Sequence, residues 1–150
     1  MEQAIDLLRQ VDLFRGLNAV QLARLAAIAQ RETFDADQVV FTQNTPADKL
    51  YIVAHGQLEV RVHDENGQGH TAVYLGTGQV VGEMALVDAG TRSATVVAVE
   101  APTEAYSIPN ATLLALCESD TAIGYVLMRN LAQDMSFKLR HRSLDPSEAD

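Results

Sequence analysis

From Phe34 to Pro109 the chain is cut into short apolar runs by turn signals about ten residues apart, and this rhythm limits the fold more than any other feature. The runs are Val39-Val40-Phe41, Leu50-Tyr51-Ile52-Val53, Thr95-Val96-Val97-Ala98-Val99 and Ala105-Tyr106-Ser107-Ile108, with Leu58, Val60 and Val62 alternating against Glu59, Arg61 and His63. Asn44-Thr45-Pro46, His55-Gly56, Asn66-Gly67, Gly76-Thr77-Gly78 and Asp88-Ala89-Gly90 separate them. Runs this short and this rich in β-branched residues predict strands. Strands joined by tight turns pair antiparallel, so the middle of the chain is expected to close into a small barrel or jelly roll.

Helical spacing brackets that middle. Ala4, Ile5, Leu7, Leu8, Val11 and Leu13 form one apolar stripe, broken at Gly16. Asn18 with Gln21 has the spacing of a capping box, opening a second helix through Leu22, Leu25, Ala26 and Ile28 to about Arg31. After Pro109, Asn110 is placed as the cap of a helix carrying Leu113, Leu114, Leu116 and Cys117, and Ser119 or Asp120 as the cap of a long helix to about Arg142. The class is therefore α+β by segregation: one domain over 1–143, with helices over 1–33, a β-roll over 34–109 and helices over 110–143. The polar end, 144–150, is expected to be a disordered tail.

Twenty acidic against eleven basic side chains give a net charge of -9, which opposes a polyanion because counterion release needs clustered cations. Nucleic acid is not an expected partner. Nor is a membrane, since the apolar runs are far shorter than a span requires. The start lacks a signal-peptide pattern and the single Cys117 cannot form an internal disulfide, so a cytoplasmic location is expected. Any small anion must be held by a local arrangement. The segment Gly82-Glu83-Met84-Ala85-Leu86-Val87-Asp88-Ala89-Gly90-Thr91-Arg92-Ser93 offers one. A helical turn begun near Glu83 would leave the N–H groups of Met84 and Ala85 free, and Arg92 adds a planar fork for two anionic oxygens.

This segment resembles the phosphate-binding cassette of cyclic-nucleotide-binding domains, the β-roll of protein kinase A regulatory subunits, cyclic-nucleotide-gated channels and bacterial catabolite activators. The resemblance continues in Leu13-Phe14-Arg15-Gly16-Leu17, in Ala47-Asp48-Lys49-Leu50-Tyr51-Ile52-Val53 with Gly56, and in Leu75-Gly76-Thr77-Gly78-Gln79. It implies that Glu83, helped by the backbone at Gly82, accepts from the ribose 2'-hydroxyl. Ala85, after Met84, would offer its N–H to the cyclic phosphate, Arg92 would pair with the charge, and Ser93 would add an N–H and a hydroxyl. The base would rest on Val73 and Leu75 under the last helix near Asp134 and Met135. Where the family often has Gly, this chain has Asp37 and Asn44, and Val81 stands where an aromatic commonly precedes the Gly-Glu pair.

Other chemistries find less support. His55, His63, His70 and His141 show no metal-ligand spacing, so a cupin-like metalloenzyme is the weakest alternative. Cys117 at helical spacing with Leu113 and Leu114 reads as a buried structural thiol. Lys138, Arg140, His141 and Arg142 read as cations favoured at a helix C-terminus. The expectation is a non-catalytic sensor without cofactor, reading cyclic AMP in preference to cyclic GMP because Ser93 resembles the bacterial activators. Its long helix would signal to an effector protein or a second copy, and its stripe Ile123, Val126, Leu127, Leu131, Met135 and Leu139 is apolar enough to pack on the β-roll, on a second copy, or on both in turn. The alternative is an interaction module of the same fold that no longer responds to nucleotide.

Overall fold

The computed structural model describes residues 2–144, with side chains up to residue 141. Helix α1 (Glu2–Arg9), a 3-10 turn (Asp12–Phe14) and α2 (Ala19–Ile28) lead into β1 (Gln30–Phe34), β2 (Val39–Phe41), β3 (Lys49–His55), β4 (Leu58–His63), β5 (Gly69–Leu75) and β6 (Val80–Val81). A short helix α3 (Ala85–Asp88) separates β6 from β7 (Thr95–Ala98) and β8 (Thr103–Pro109); α4 (Asn110–Ser119) and α5 (Thr121–Leu144) follow. Among the described residues the strands form two antiparallel four-stranded sheets, β1-β8-β3-β6 and β2-β7-β4-β5. This is the α+β roll that the turn rhythm implies.

Strand β3 shows why its run is apolar without a break. Leu50 and Ile52 face one core, with Leu8, Val11, Phe14, Leu25, Ile108, Leu113 and Leu127 of the helical side. Tyr51 and Val53 face a second core between the sheets, with Phe34, Leu58, Val96 and Ala105. Each such side chain, fully buried, contributes about 1.5–3 kcal/mol. Helix α5 is fixed in register by Asn130, whose buried Nδ2 donates to the carbonyls of Leu13 (2.7 Å) and Arg15 (3.0 Å). Gly124 lets it approach α4: a β-carbon there would lie 2.7 Å from the Cys117 carbonyl oxygen. Cys117 is buried at that crossing, and burial raises its thiol pKa.

Both halves of the Asn18–Gln21 capping box form, and Asp120 caps α5 by accepting from the Ile123 N–H (3.3 Å). Three boundaries differ from expectation. The β-roll starts at Gln30 rather than Phe34, because Gln-Arg-Glu-Thr-Phe shows no apolar alternation and becomes an edge strand only by pairing with β8. Asn110 is not the cap of α4: Pro109 occupies that position, and the Asn110 amide instead donates to the Ala47 carbonyl (3.2 Å). Leu144, assigned to the tail, closes α5; the rest of the expected tail lies outside the described residues.

Candidate functional site

The site grows out of the step from β6 to α3. Gly82 sits at φ +91°, and a β-carbon on it would lie 2.6 Å from Arg92 Nη1 and 2.9 Å from the Lys49 carbonyl oxygen. Only glycine allows this turn and this approach together. In the turn that follows, the carbonyls of Glu83 and Met84 accept from Leu86 and Val87 (3.1 and 3.0 Å). The N–H groups of Met84 and Ala85 thus precede the first intrahelical bond. Ala89, left-handed at φ 51°, ends α3.

Arg92 is pinned at its backbone before its side chain is placed. Its N–H donates to Thr45 O (2.7 Å), its carbonyl accepts from Asn44 (2.8 Å), and the Ala47 N–H donates to Gly90 O (3.2 Å). Asn44 takes φ 71° and Asp37 φ 67°, so both adopt the left-handed geometry that favours glycine and that Asn and Asp tolerate. The Arg92 side chain is buried at 4% exposure. Its guanidinium carbon lies 3.9 Å from the centroid of the Phe41 ring, and Nη2 reaches Asp48 Oδ1 at 3.4 Å. Nε and Nη1 are buried with no hydrogen-bond partner. Burial holds the guanidinium pKa below its usual value, with Tyr51 and Asp48 opposing. Buried charged donors without protein acceptors call for an anion, which is what a phosphate would supply. Ser93, beside Arg92, is exposed.

Glu83 lines a cavity of about 630 Å³ between the roll and α5. Leu75, Gln79 and Val80 form its strand side, Gln10 and Arg15 its N-terminal rim, and Asp134 and Lys138 its α5 side. Arg15 Nη2 donates to Gln133 Oε1 across the rim (2.8 Å), and Lys138 pairs with Asp134 one turn earlier (3.0 Å). Burial pushes the Glu83 carboxyl above the usual carboxylate range; Lys138 draws it down and Asp134 pushes it up. The anion-reading arm and the cavity therefore meet at the consecutive residues Gly82 and Glu83.

Of the expected residues, the structure places Gly82, Glu83, Met84 and Ala85 in one turn with the Arg92 side chain against Gly82, and Leu75 and Asp134 in the adjoining cavity. Val73 and Met135 do not line it. Val73 is exposed on β5, where a register shift at Val60/Arg61 interrupts pairing with β4, and Met135 packs on the helical core. Phe41 and Asp48 were not expected at the site from the sequence, and Lys138, read there only as a C-terminal cation, pairs with Asp134 at the cavity. Asp48 lies in a segment already similar to relatives, whereas nothing local in the sequence marks Phe41 as Arg92's neighbour.

The family model of the cyclic nucleotide-binding domain matches residues 31–120, more than half of the chain. The chain belongs to the cyclic nucleotide-binding domain family. It is 32% identical to the Cyclic AMP receptor protein of Thermus thermophilus over 89% of this chain and 59% of that protein. It thus spans about three fifths of that relative. The N-terminal domain of a transcriptional regulator from Streptomyces coelicolor A3(2) superposes with a TM-score of 0.82 at 25% identity, covering 97% of this chain and all of that one. The regulatory domain of Toxoplasma gondii PKA, crystallised with cAMP, gives 0.71 at 27% identity over 76% of this chain and 43% of that one. Among the described residues no helix is long and apolar enough to cross a membrane.

Proposed function

We propose that this cyclic nucleotide-binding domain is a non-catalytic sensor that reads cyclic AMP in preference to cyclic GMP. The observation that carries the reading is the buried guanidinium of Arg92, two of whose nitrogens have no acceptor. A cyclic phosphate supplies anionic oxygens to those donors, and the N–H groups of Met84 and Ala85, with Ser93, take the remainder. Glu83 accepts from the ribose 2'-hydroxyl at the mouth of the cavity, and the base enters against Leu75 under Asp134. A ligand seated there touches α5, so its binding energy can bias that helix between positions.

The outward side of α5 suits a second copy of the chain or an effector protein in the cytoplasm. Tyr125, Ala132 and Leu139 recur there at seven-residue steps, exposed and apart from the buried Ile123, Leu127 and Leu131. A thermal-shift titration tests the sensor reading, because a ligand at 100 times its Kd adds about 2.7 kcal/mol to stability. Cyclic AMP is expected to shift the midpoint at lower concentration than cyclic GMP. A midpoint unmoved by either nucleotide at millimolar concentration overturns the reading and leaves a fold used for protein contact alone.

A further inference from the structure

We propose that Phe41 is a positioning residue of the anion site, holding the Arg92 guanidinium flat against its ring so that Nε and Nη1 stay free for the cyclic phosphate. The proposal rests on the nucleotide reading above. Its geometric basis is the 3.9 Å separation of the guanidinium carbon from the ring centroid, close enough for the quadrupole of the ring to attract the cation. An arginine suits this contact because its charge is delocalised over a plane and weakly hydrated.

The hydrogen bonding of the guanidinium leaves its plane undetermined. Asp48 reaches only Nη2, at 3.4 Å, from a side chain that is 75% exposed. Gly82 crowds Nη1 without accepting from it. With those contacts alone, a long side chain with about 2 kcal/mol of rotamer entropy would have to be ordered by the incoming ligand. The ring removes that cost beforehand. It also covers one face of the cation, leaving the edge donors for the ligand.

The fold commits a distortion to this placement. Strand β2 pairs with β7 through Val39↔Val97 and Phe41↔Val96, so the register slips between two residues that would otherwise share a face. Val39 stays exposed while Phe41 packs on the inter-sheet core. A bulge of this kind re-aims a side chain. Behind Phe41 stand Tyr51, with ring centroids 5.9 Å apart, and Phe34, edge-on to Tyr51 at 6.5 Å. The ring that meets the cation is thus backed by rigid neighbours from β3 and β1. Val60, Leu75 and Val81 fill the same core's margin with aliphatic groups, so filling space does not demand an aromatic at position 41.

The test varies the ring electronically at nearly constant shape. The full chain is prepared with 4-fluoro-, 3,5-difluoro- and pentafluoro-phenylalanine at position 41, beside Phe41→Tyr and Phe41→Leu, and each is titrated with cyclic AMP. Kd is expected to rise with each fluorination, by about 2- to 30-fold from the unsubstituted to the pentafluoro ring. Phe41→Tyr should stay within about 2-fold, and Phe41→Leu should match the pentafluoro ring. The free protein gives a second readout: the Arg92 Nε–H proton resonance should be shifted upfield by the ring and return towards its ordinary position in Phe41→Leu. A Kd that is flat across the fluorine series, or that follows loss of the unfolding midpoint instead of fluorination, overturns the positioning role while leaving the nucleotide reading intact. An unshifted Nε–H proton overturns the stacking itself. Wild-type protein that binds no nucleotide overturns the reading and this proposal with it.

Discussion

Replacing Arg92 by methionine is expected to make the ligand-free protein more stable and the ligand-responsive protein insensitive. The guanidinium is 4% exposed, and the desolvation of such an ion costs several kcal/mol even after relaxation. Little offsets this. The ring of Phe41 returns about 0.5–2 kcal/mol, and the long contact to the exposed Asp48 about 1 kcal/mol or less. Methionine reaches about as far as the Nε position, needs no acceptor, and leaves Asp48 in water, where an unpaired carboxylate costs nothing. Exchanging a poorly compensated buried ion for an apolar side chain gains about 1–4 kcal/mol; we take about 2. Nucleotide reverses the order, since wild type gains RT ln(1 + [L]/Kd) and the variant gains almost nothing. The two stabilities cross where that gain equals about 2 kcal/mol, at roughly 30 times the wild-type Kd. Urea unfolding across a series of cyclic AMP concentrations measures both curves. An Arg92→Met protein less stable than wild type without nucleotide, or one whose stability climbs with cyclic AMP as wild type does, refutes the reasoning.

Gly82→Ala places a β-carbon 2.6 Å from Arg92 Nη1 and 2.9 Å from a backbone oxygen at φ +91°; denaturant unfolding should show a loss of about 1–3 kcal/mol, and calorimetry a weaker nucleotide complex. Glu83 has a native pKa above the ordinary carboxyl value of 4.5, because burial disfavours the carboxylate. The native state therefore binds more protons than the unfolded chain between 4.5 and the raised value, and stability falls as pH rises through that window. Glu83→Gln should remove this slope from the ligand-free protein; matching pH profiles for the two proteins would refute the assignment. Gly124→Ala, with its β-carbon 2.7 Å from the Cys117 carbonyl oxygen, should wedge α4 from α5 and lower stability by about 1–3 kcal/mol in thermal unfolding.

The roll and the cassette were legible because their signals are local. A capping box, a left-handed glycine before an acid and a turn every ten residues or so each act within a few positions of themselves. Features set by distant contacts were not. Gln30–Phe34 becomes a strand because β8 lies beside it, and its own residues carry only one buried side chain, Phe34. Asn110 has the right identity for a cap, yet its amide is drawn away to Ala47, more than sixty residues earlier. Val73 was named with Leu75 for the base, yet it is exposed on β5 outside the cavity that Leu75 lines. The cassette named Arg92, but the ring beneath it comes from β2, and no spacing rule connects the two.

The segment from Phe41 to Asp48 touches Arg92 at every level. Its first residue lies under the cation, its last approaches Nη2, and Asn44 and Thr45 between them bond the Arg92 backbone. A ligand's view of the arginine is therefore written on a different stretch of chain from the one that supplies it. Affinity can be retuned by changing that stretch while every atom of the cassette stays the same. Two members of the family with identical cassettes can thus differ in the ligand concentration to which they answer, and comparing their cassettes alone would not reveal it.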